Sequence, residues 1–328
     1  MSRRELRRGD QVVVKSPADI LATLDARGDL DGLPFMPEMV AYCGRPFTVL
    51  ARADKVCDSV NFSGSRRMPN SVLLDDLRCD GSGHDGCQAE CRLFWKEEWL
   101  RRVGADDAPD NGPVSESDRA ALVERTSGHT TSTMQVGDKA ELRYRCQATE
   151  LPNCTAHLRT FDPRPYVREL TSGNVPLGRF VRVMARAVVD EPQKKLGLLP
   201  AVFLAGPAKK GDTFETLNLQ VGELVRVKSK EDIAKTLDAR GMNKGLRFDR
   251  EMLPFCGQVF KVRQRVERFI DEPKSIMVVL KNEALLLDGA FCMGELNPGR
   301  WLCPRGIYAF WRECWVERVG TDTGTGPE

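Results

Sequence analysis

Apolar and polar positions change places over short runs along the first hundred residues, and glycine, proline or aspartate punctuates the runs. Residues 11–15 read as a short strand after a Gly-Asp turn. Ser16 then has the chemistry of a helix N-cap, with Pro17 at the first helical position and Asp19 three residues on. The short helix places Ile20, Leu21 and Leu24 on one face and stops at Gly28. A second short helix is predicted over 37–42, ending at Gly44, followed by strands over 47–51 and 72–74. Residues 89–102, with Leu93, Phe94 and Trp95 among their apolar positions, read as a helix. Further on, a strand over 140–144, a helix over 163–170 and a strand over 180–188 are expected. Residues 171–174 read as the turn that ends the helix, with polar groups able to face a small ligand.

The pattern then repeats. From Gly9 against Gly222 to Cys57 against Ile270 the register holds without a gap, and 23 of 49 pairs are identical. The longest shared block runs from Thr23 to Gly28, matched by Thr236 to Gly241. After a variable stretch, Phe94, Trp95 and Trp99 find counterparts in Phe310, Trp311 and Trp315. The repeated tryptophans read as core. Two copies of one domain follow, too few for a solenoid.

These elements predict an α+β, mainly β chain: tandem duplicated small barrel-like domains, SH3-like in outline, with short helices and a smaller middle domain. The expected boundaries are 1–105 for the first copy, 106–133 for a solvated linker, 134–210 for the middle domain, 214–320 for the second copy and 321–328 for a polar tail.

Charge narrows the function. Lys and Arg total 49 against 47 Asp and Glu, a net +2, which disfavours a nucleic-acid binder built on phosphate contacts. No run approaches the roughly 18 apolar residues of a membrane span. The basic N-terminus lacks the apolar core of an export signal, so a cytoplasmic location is expected. Eleven cysteines there read as thiols or metal ligands rather than disulfides.

The dense cysteine run is Cys79-Asp80-Gly81-Ser82-Gly83-His84-Asp85-Gly86-Cys87-Gln88-Ala89-Glu90-Cys91. Its glycines let the backbone turn tightly enough for several ligands to converge. Cys87 and Cys91 would share a helical face, and Cys57, at the end of a strand, would close a set of four. Cys57, Cys79, Cys87 and Cys91 are therefore the expected metal or cluster ligands, with His84 competing for the fourth place. Cys43 and Cys256 read as small buried hydrophobes. Cys146, Cys154 and His157 form a secondary candidate group. In the second copy Cys292 stands opposite Cys79 and Cys303 opposite Cys87, but Ile270 and Ile307 replace Cys57 and Cys91, as in a copy that has lost its centre.

The run from Cys79 to His84 resembles the CDGSH iron–sulfur motif, whose cluster takes three cysteines and one histidine. Gly83 adds a residue before the histidine and the upstream Cys-x-Cys pair is missing, so neither that family's fold nor its ligand assignment is carried over. The paired Cys-x-x-Cys knuckles common in structural zinc sites are absent from the sequence. An iron–sulfur cluster is expected, with Zn2+ the alternative. The function expected is redox or Lewis-acid chemistry on a small molecule or with a redox partner protein. The alternative is a non-catalytic interaction module with a structural zinc. The pattern does not decide whether the chain is an enzyme.

Overall fold

A computed structural model describes residues 5–104, 115–159, 162–200 and 202–319. The polar tail and residues 106–114 of the linker lie outside them. The chain divides into two compact units. The first comprises Met1–Leu196, Arg268–Val278 and Met293–Ile307; the second comprises Gly197–Glu267, Val279–Cys292 and Tyr308–Glu328. The middle segment 134–210 is thus shared between them, and part of the second sequence copy belongs to the first unit.

The first unit begins with β1 (Gln11–Val14), α1 (Pro17–Leu21), β2 (Asp29–Leu30), β3 (Leu33–Pro34), β4 (Pro46–Arg52), β5 (Lys55–Cys57), β6 (Ser65–Arg67), β7 (Ser71–Arg78), β8 (Arg92–Lys96) and β9 (Leu100–Arg102). Ser16 caps α1 as its sequence requires, accepting the Asp19 backbone N–H at 3.2 Å. Five strands form an antiparallel sheet in the order β8-β7-β4-β1-β9. β1 lies inside this sheet, which explains its unbroken run of buried valines.

Residues 89–102 are not a helix. β8 pairs with β7 through Val72↔Trp95 and Leu73↔Phe94, a single 3-10 turn covers Glu97–Trp99, and β9 follows. Leu93, Phe94 and Trp95 are all buried. A helix would fan three successive side chains around its axis, whereas a strand covered on both faces buries them all.

The chain continues through α2 (Glu116–Ser127), β10 (Thr131–Val136), β11 (Lys139–Tyr144), α3 (Leu151–Cys154), β12 (Ala156–His157), α4 (Arg164–Thr171) and α5 (Leu177–Lys195). The strand expected over 180–188 is instead part of α5. Phe180, Val183, Met184 and Ala187 pack with Val175, Trp301 and Leu302, and their spacing is that of one helical stripe. Leu122 of α2 and Leu151 and Cys154 of α3 lie in the same core as Val12, Trp95 and Trp99.

The second unit repeats the order of elements. It holds β13 (Leu224–Val227), α6 (Lys230–Lys235), β14 (Met242–Asn243), β15 (Leu246–Arg247), most of β16 (Val259–Asp271) and β17 (Ile276–Leu287), and β18 (Val316–Arg318). Its sheet order, β17-β16-β13-β18, parallels β7-β4-β1-β9. An isolated bridge, Leu285↔Trp311, stands where β7 pairs with β8. Each unit buries the same aromatic trio. Phe35 meets Trp95 and Trp99 edge-on at 6.0 and 5.0 Å, and Phe248 meets Trp311 and Trp315 at 6.3 and 5.5 Å. The indole N–H of Trp99 donates to Thr23 at 3.1 Å, and that of Trp315 to Thr236 at 2.9 Å. The architecture is mainly β with mostly short helices. Among the described residues no helix is long and apolar enough to cross a membrane.

The turn at 171–174 has a structural role. The Asn174 side chain accepts from the Arg52 backbone N–H at 2.8 Å and donates to the Arg52 carbonyl at 2.9 Å and to Glu169 at 2.6 Å. Burial lifts the Glu169 carboxyl to about 7, against the opposing pull of Lys55 and of Asn174. The Lys55 ammonium is 3.8 Å away, and Asp54 and Arg179 also act on the group.

Leu122 is the apolar anchor of α2, so Leu122→Ala is expected to cost about 2–5 kcal/mol in chemical denaturation. A carboxyl with a raised native pKa binds its proton more tightly folded than unfolded. Its stabilisation is therefore complete below the unfolded value near 4.5 and lost as pH rises through about 7. Wild-type protein is expected to lose roughly 3 kcal/mol more than Glu169→Gln between pH 4 and 8, measured by denaturation at each pH.

Candidate metal centre

β7 delivers the chain into a closed loop. The Cys79 backbone N–H donates to the Cys91 carbonyl at 2.8 Å, and inside it His84 and Gly86 both donate to the Gly81 carbonyl, at 2.9 and 3.1 Å. Gly81 has φ +75°, and a Cβ there would lie 2.1 Å from the Cys87 carbonyl oxygen. Only glycine fits this position. Asp85 and Glu90 also adopt left-handed backbone. No helix starts at Cys87, so the predicted helical face for Cys87 and Cys91 does not exist; the loop closure aims these thiols instead.

The loop lines a small cavity of about 40 Å3, well short of the space an organic substrate needs. Its wall carries Cys79, His84, Cys87 and Cys91 from the loop, Glu38 from the 3-10 helix Pro37–Tyr42, and Cys146 from the segment after β11. The middle segment thus helps to enclose the cysteines. Gln147 fixes it there, donating to the Pro34 and Phe94 carbonyls at 2.9 Å and accepting from the Phe94 N–H at 2.7 Å.

Donor atoms of Glu38, Cys79 and His84 lie within 4.8 Å of one another. The Cys79 thiol donates to Glu38 Oε1 at 3.0 Å, and His84 Nδ1 is 3.8 Å from the same oxygen. His84 Nε2 faces the Arg145 carbonyl at 3.1 Å. A carbonyl can only accept, so Nε2 donates to it and the ring turns Nδ1 towards Glu38 and Cys79. Metal-bound histidines commonly hold their second N–H in this way. Glu38 Oε2 is buried without a hydrogen-bond partner among the described residues. A ring nitrogen facing a buried carboxyl group, beside an unsatisfied buried oxygen, is an arrangement a cation would relieve.

Burial raises every thiol on the wall. It lifts Cys146 to about 11 and raises Cys87, Cys91 and Cys79, with Glu272 adding to it at Cys91 and Glu38 at Cys79. These cysteines are neutral until a metal displaces their protons.

The remaining candidates lie elsewhere. Cys57, at the end of β5, stands beside Cys303, whose sulfur accepts the Cys57 backbone N–H at 3.1 Å. Cys154 is buried in the apolar core, and His157 is exposed on β12, paired with Arg66. Cys43 is buried and Cys256 half-buried, each just past a 3-10 helix. No disulfide joins any of the eleven cysteines.

Sequence reasoning did not find Glu38, Glu272, Cys303 or Arg305. Glu38 has an equivalent in Glu251, in a copy with no histidine, so it reads as a fold residue. The other three come from the second sequence copy. Gly294, the counterpart of Gly81, has φ +66°, and its Cβ would meet the Cys303 nitrogen at 2.6 Å. The degenerate loop keeps its tight turn and sends residues 293–307 into the first unit.

Gly81→Ala is expected to disrupt the loop by more than about 1 kcal/mol through its positive φ alone. The check is the rate of Cys87 alkylation by a thiol reagent, which should rise in the variant while Cys43 stays protected.

No protein-family model, curated protein or solved structure matches this chain.

Proposed function

We propose that this protein is a redox metalloprotein whose iron–sulfur centre is held by Cys79, Cys87, Cys91 and Cys146 in the first unit. His84 and Glu38 stand beside Cys79 as competing or supporting donors. The observation that carries this reading is that four cysteines and a histidine anchored through Nε2 line one small cavity. A single zinc holds thiolates at about 2.3 Å, which requires four sulfurs within roughly 4 Å of one another. The closest three donors among the described residues are instead the mixed Glu38, Cys79 and His84 set. The four cysteines spread around the cavity wall favour a polynuclear cluster, whose own sulfides fill the space between protein thiolates. The cavity has no room for an organic molecule, which favours electron exchange with a partner protein or small carrier over Lewis-acid catalysis. The duplicated sheets are read as SH3-like barrels that scaffold the loop, and the cytoplasm is the compartment that suits its thiols.

A second reading is favoured by the compact Glu38, Cys79 and His84 group: one structural zinc bound there, in a non-catalytic module.

Anaerobically purified full-length protein is expected to contain iron and acid-labile sulfide and to show a visible absorption that a reductant bleaches. Cys91→Ser and Cys146→Ser should each lose most of the iron, while Cys57→Ser keeps it. One zinc per chain, colourless and retained in Cys146→Ser, would select the second reading.

A further inference from the structure

Away from the cavity wall, two cysteines 246 residues apart in sequence face one another. Cys57 ends β5, and Cys303 arrives on the segment Met293–Ile307, within the same compact unit. Both are buried. The Cys57 backbone N–H donates to Cys303 Sγ at 3.1 Å, and the two thiols share a hydrogen bond. The Arg305 guanidinium closes over the pair. Its Nη1 donates to the Cys57 carbonyl at 3.2 Å and to Ser59 Oγ at 2.5 Å, and lies 3.9 Å from Cys57 Sγ. Glu272 holds the other nitrogen of the same fork at 3.3 Å.

We propose that Cys57 and Cys303 are a redox-active dithiol that a peroxide-class oxidant converts to a disulfide, with Arg305 as the positioning residue. Two features separate this pair from the cavity cysteines: Cys303 Sγ sits 3.1 Å from the Cys57 backbone nitrogen, and a guanidinium nitrogen lies 3.9 Å from Cys57 Sγ. The Cys303 S–H bond and the nearby Arg305 and Arg300 charges hold Cys57 below the ordinary thiol value, against burial and Glu272. With a guanidinium nitrogen 3.9 Å from its sulfur, Cys57 is the nucleophile and Cys303 the resolving thiol.

In the first step the Cys57 thiolate attacks one peroxide oxygen; the O–O bond breaks, hydroxide leaves, and Cys57 becomes a sulfenic acid. In the second step Cys303 sulfur attacks the sulfenic sulfur; the S–S bond forms, the S–O bond breaks, and hydroxide leaves. The two thiol protons convert the hydroxides to water. Two thiols and one hydrogen peroxide give one disulfide and two waters, the peroxide accepting both electrons. Hydrogen peroxide is small enough to reach a buried pair that larger disulfide reagents cannot.

The test is a peptide map of the reduced full-length protein after one equivalent of hydrogen peroxide, with remaining thiols alkylated before digestion. The Cys57–Cys303 linked peptide should dominate, in protein purified with or without metal, so the outcome does not depend on the iron–sulfur centre. In Cys303→Ser a sulfenic-acid trap should label Cys57. Arg305→Lys should keep the reaction within a few-fold of wild type, and Arg305→Gln should slow it by at least about tenfold. If wild-type protein leaves Cys57 and Cys303 alkylatable while Cys79, Cys87, Cys91 or Cys146 oxidise first, the proposal is overturned.

Discussion

A guanidinium removed from water must be matched by acceptors and negative charge, because an unpaired buried cation is among the costliest defects a fold can carry. Arg305 is such a group, buried among Glu272, Ser59 and the Cys57 carbonyl. Those partners come from β5, from the turn after it and from the tip of the β16–β17 hairpin, while Arg305 itself lies on the segment Met293–Ile307. Satisfying one charge therefore gathers three separate stretches of chain into the first unit. It also places a positive charge on the cavity wall, where thiolates would be most expensive to hold without one.

The same burial has opposite consequences for two groups of cysteines. Around the cavity it makes every thiol a weak acid, so those residues remain neutral and unreactive until a cation takes the place of their protons. At Cys57 a neighbouring thiol and two arginines act against burial and favour the thiolate without metal. A low-dielectric interior strengthens both the penalty and the compensation, so small differences in neighbours sort chemically identical side chains into ligands and nucleophiles.

Duplication provides the scaffold for both. Each copy closes its sheet over a phenylalanine and two tryptophans and ties the second tryptophan to a threonine hydroxyl. Each also retains a glycine pressed against the backbone of a later cysteine, Gly81 against Cys87 and Gly294 against Cys303. With the turn preserved, the ligands around it were free to diverge. Cys87 faces the cavity, and Cys303 faces Cys57.

Much of this was legible in the chain itself. The repeat, the Ser16 cap, the buried tryptophans and the cysteine-rich loop follow from local spacing and turn chemistry, which depend on neighbours a few residues away. Two elements were misread because periodicity alone cannot see what covers them. Leu93, Phe94 and Trp95 form a strand since β7 and the core bury both its faces, and residues 180–188 form a helix since Val175, Trp301 and Leu302 receive one stripe of it. The site divided in the same way. Cys79, His84, Cys87 and Cys91 were visible as a local cluster, since the loop that gathers them is only thirteen residues long. That Cys146 joins their cavity while Cys57 turns to Cys303 depended on contacts between segments tens to hundreds of residues apart. Such contacts are chosen by packing and by the pairing of buried charge, which no local pattern encodes.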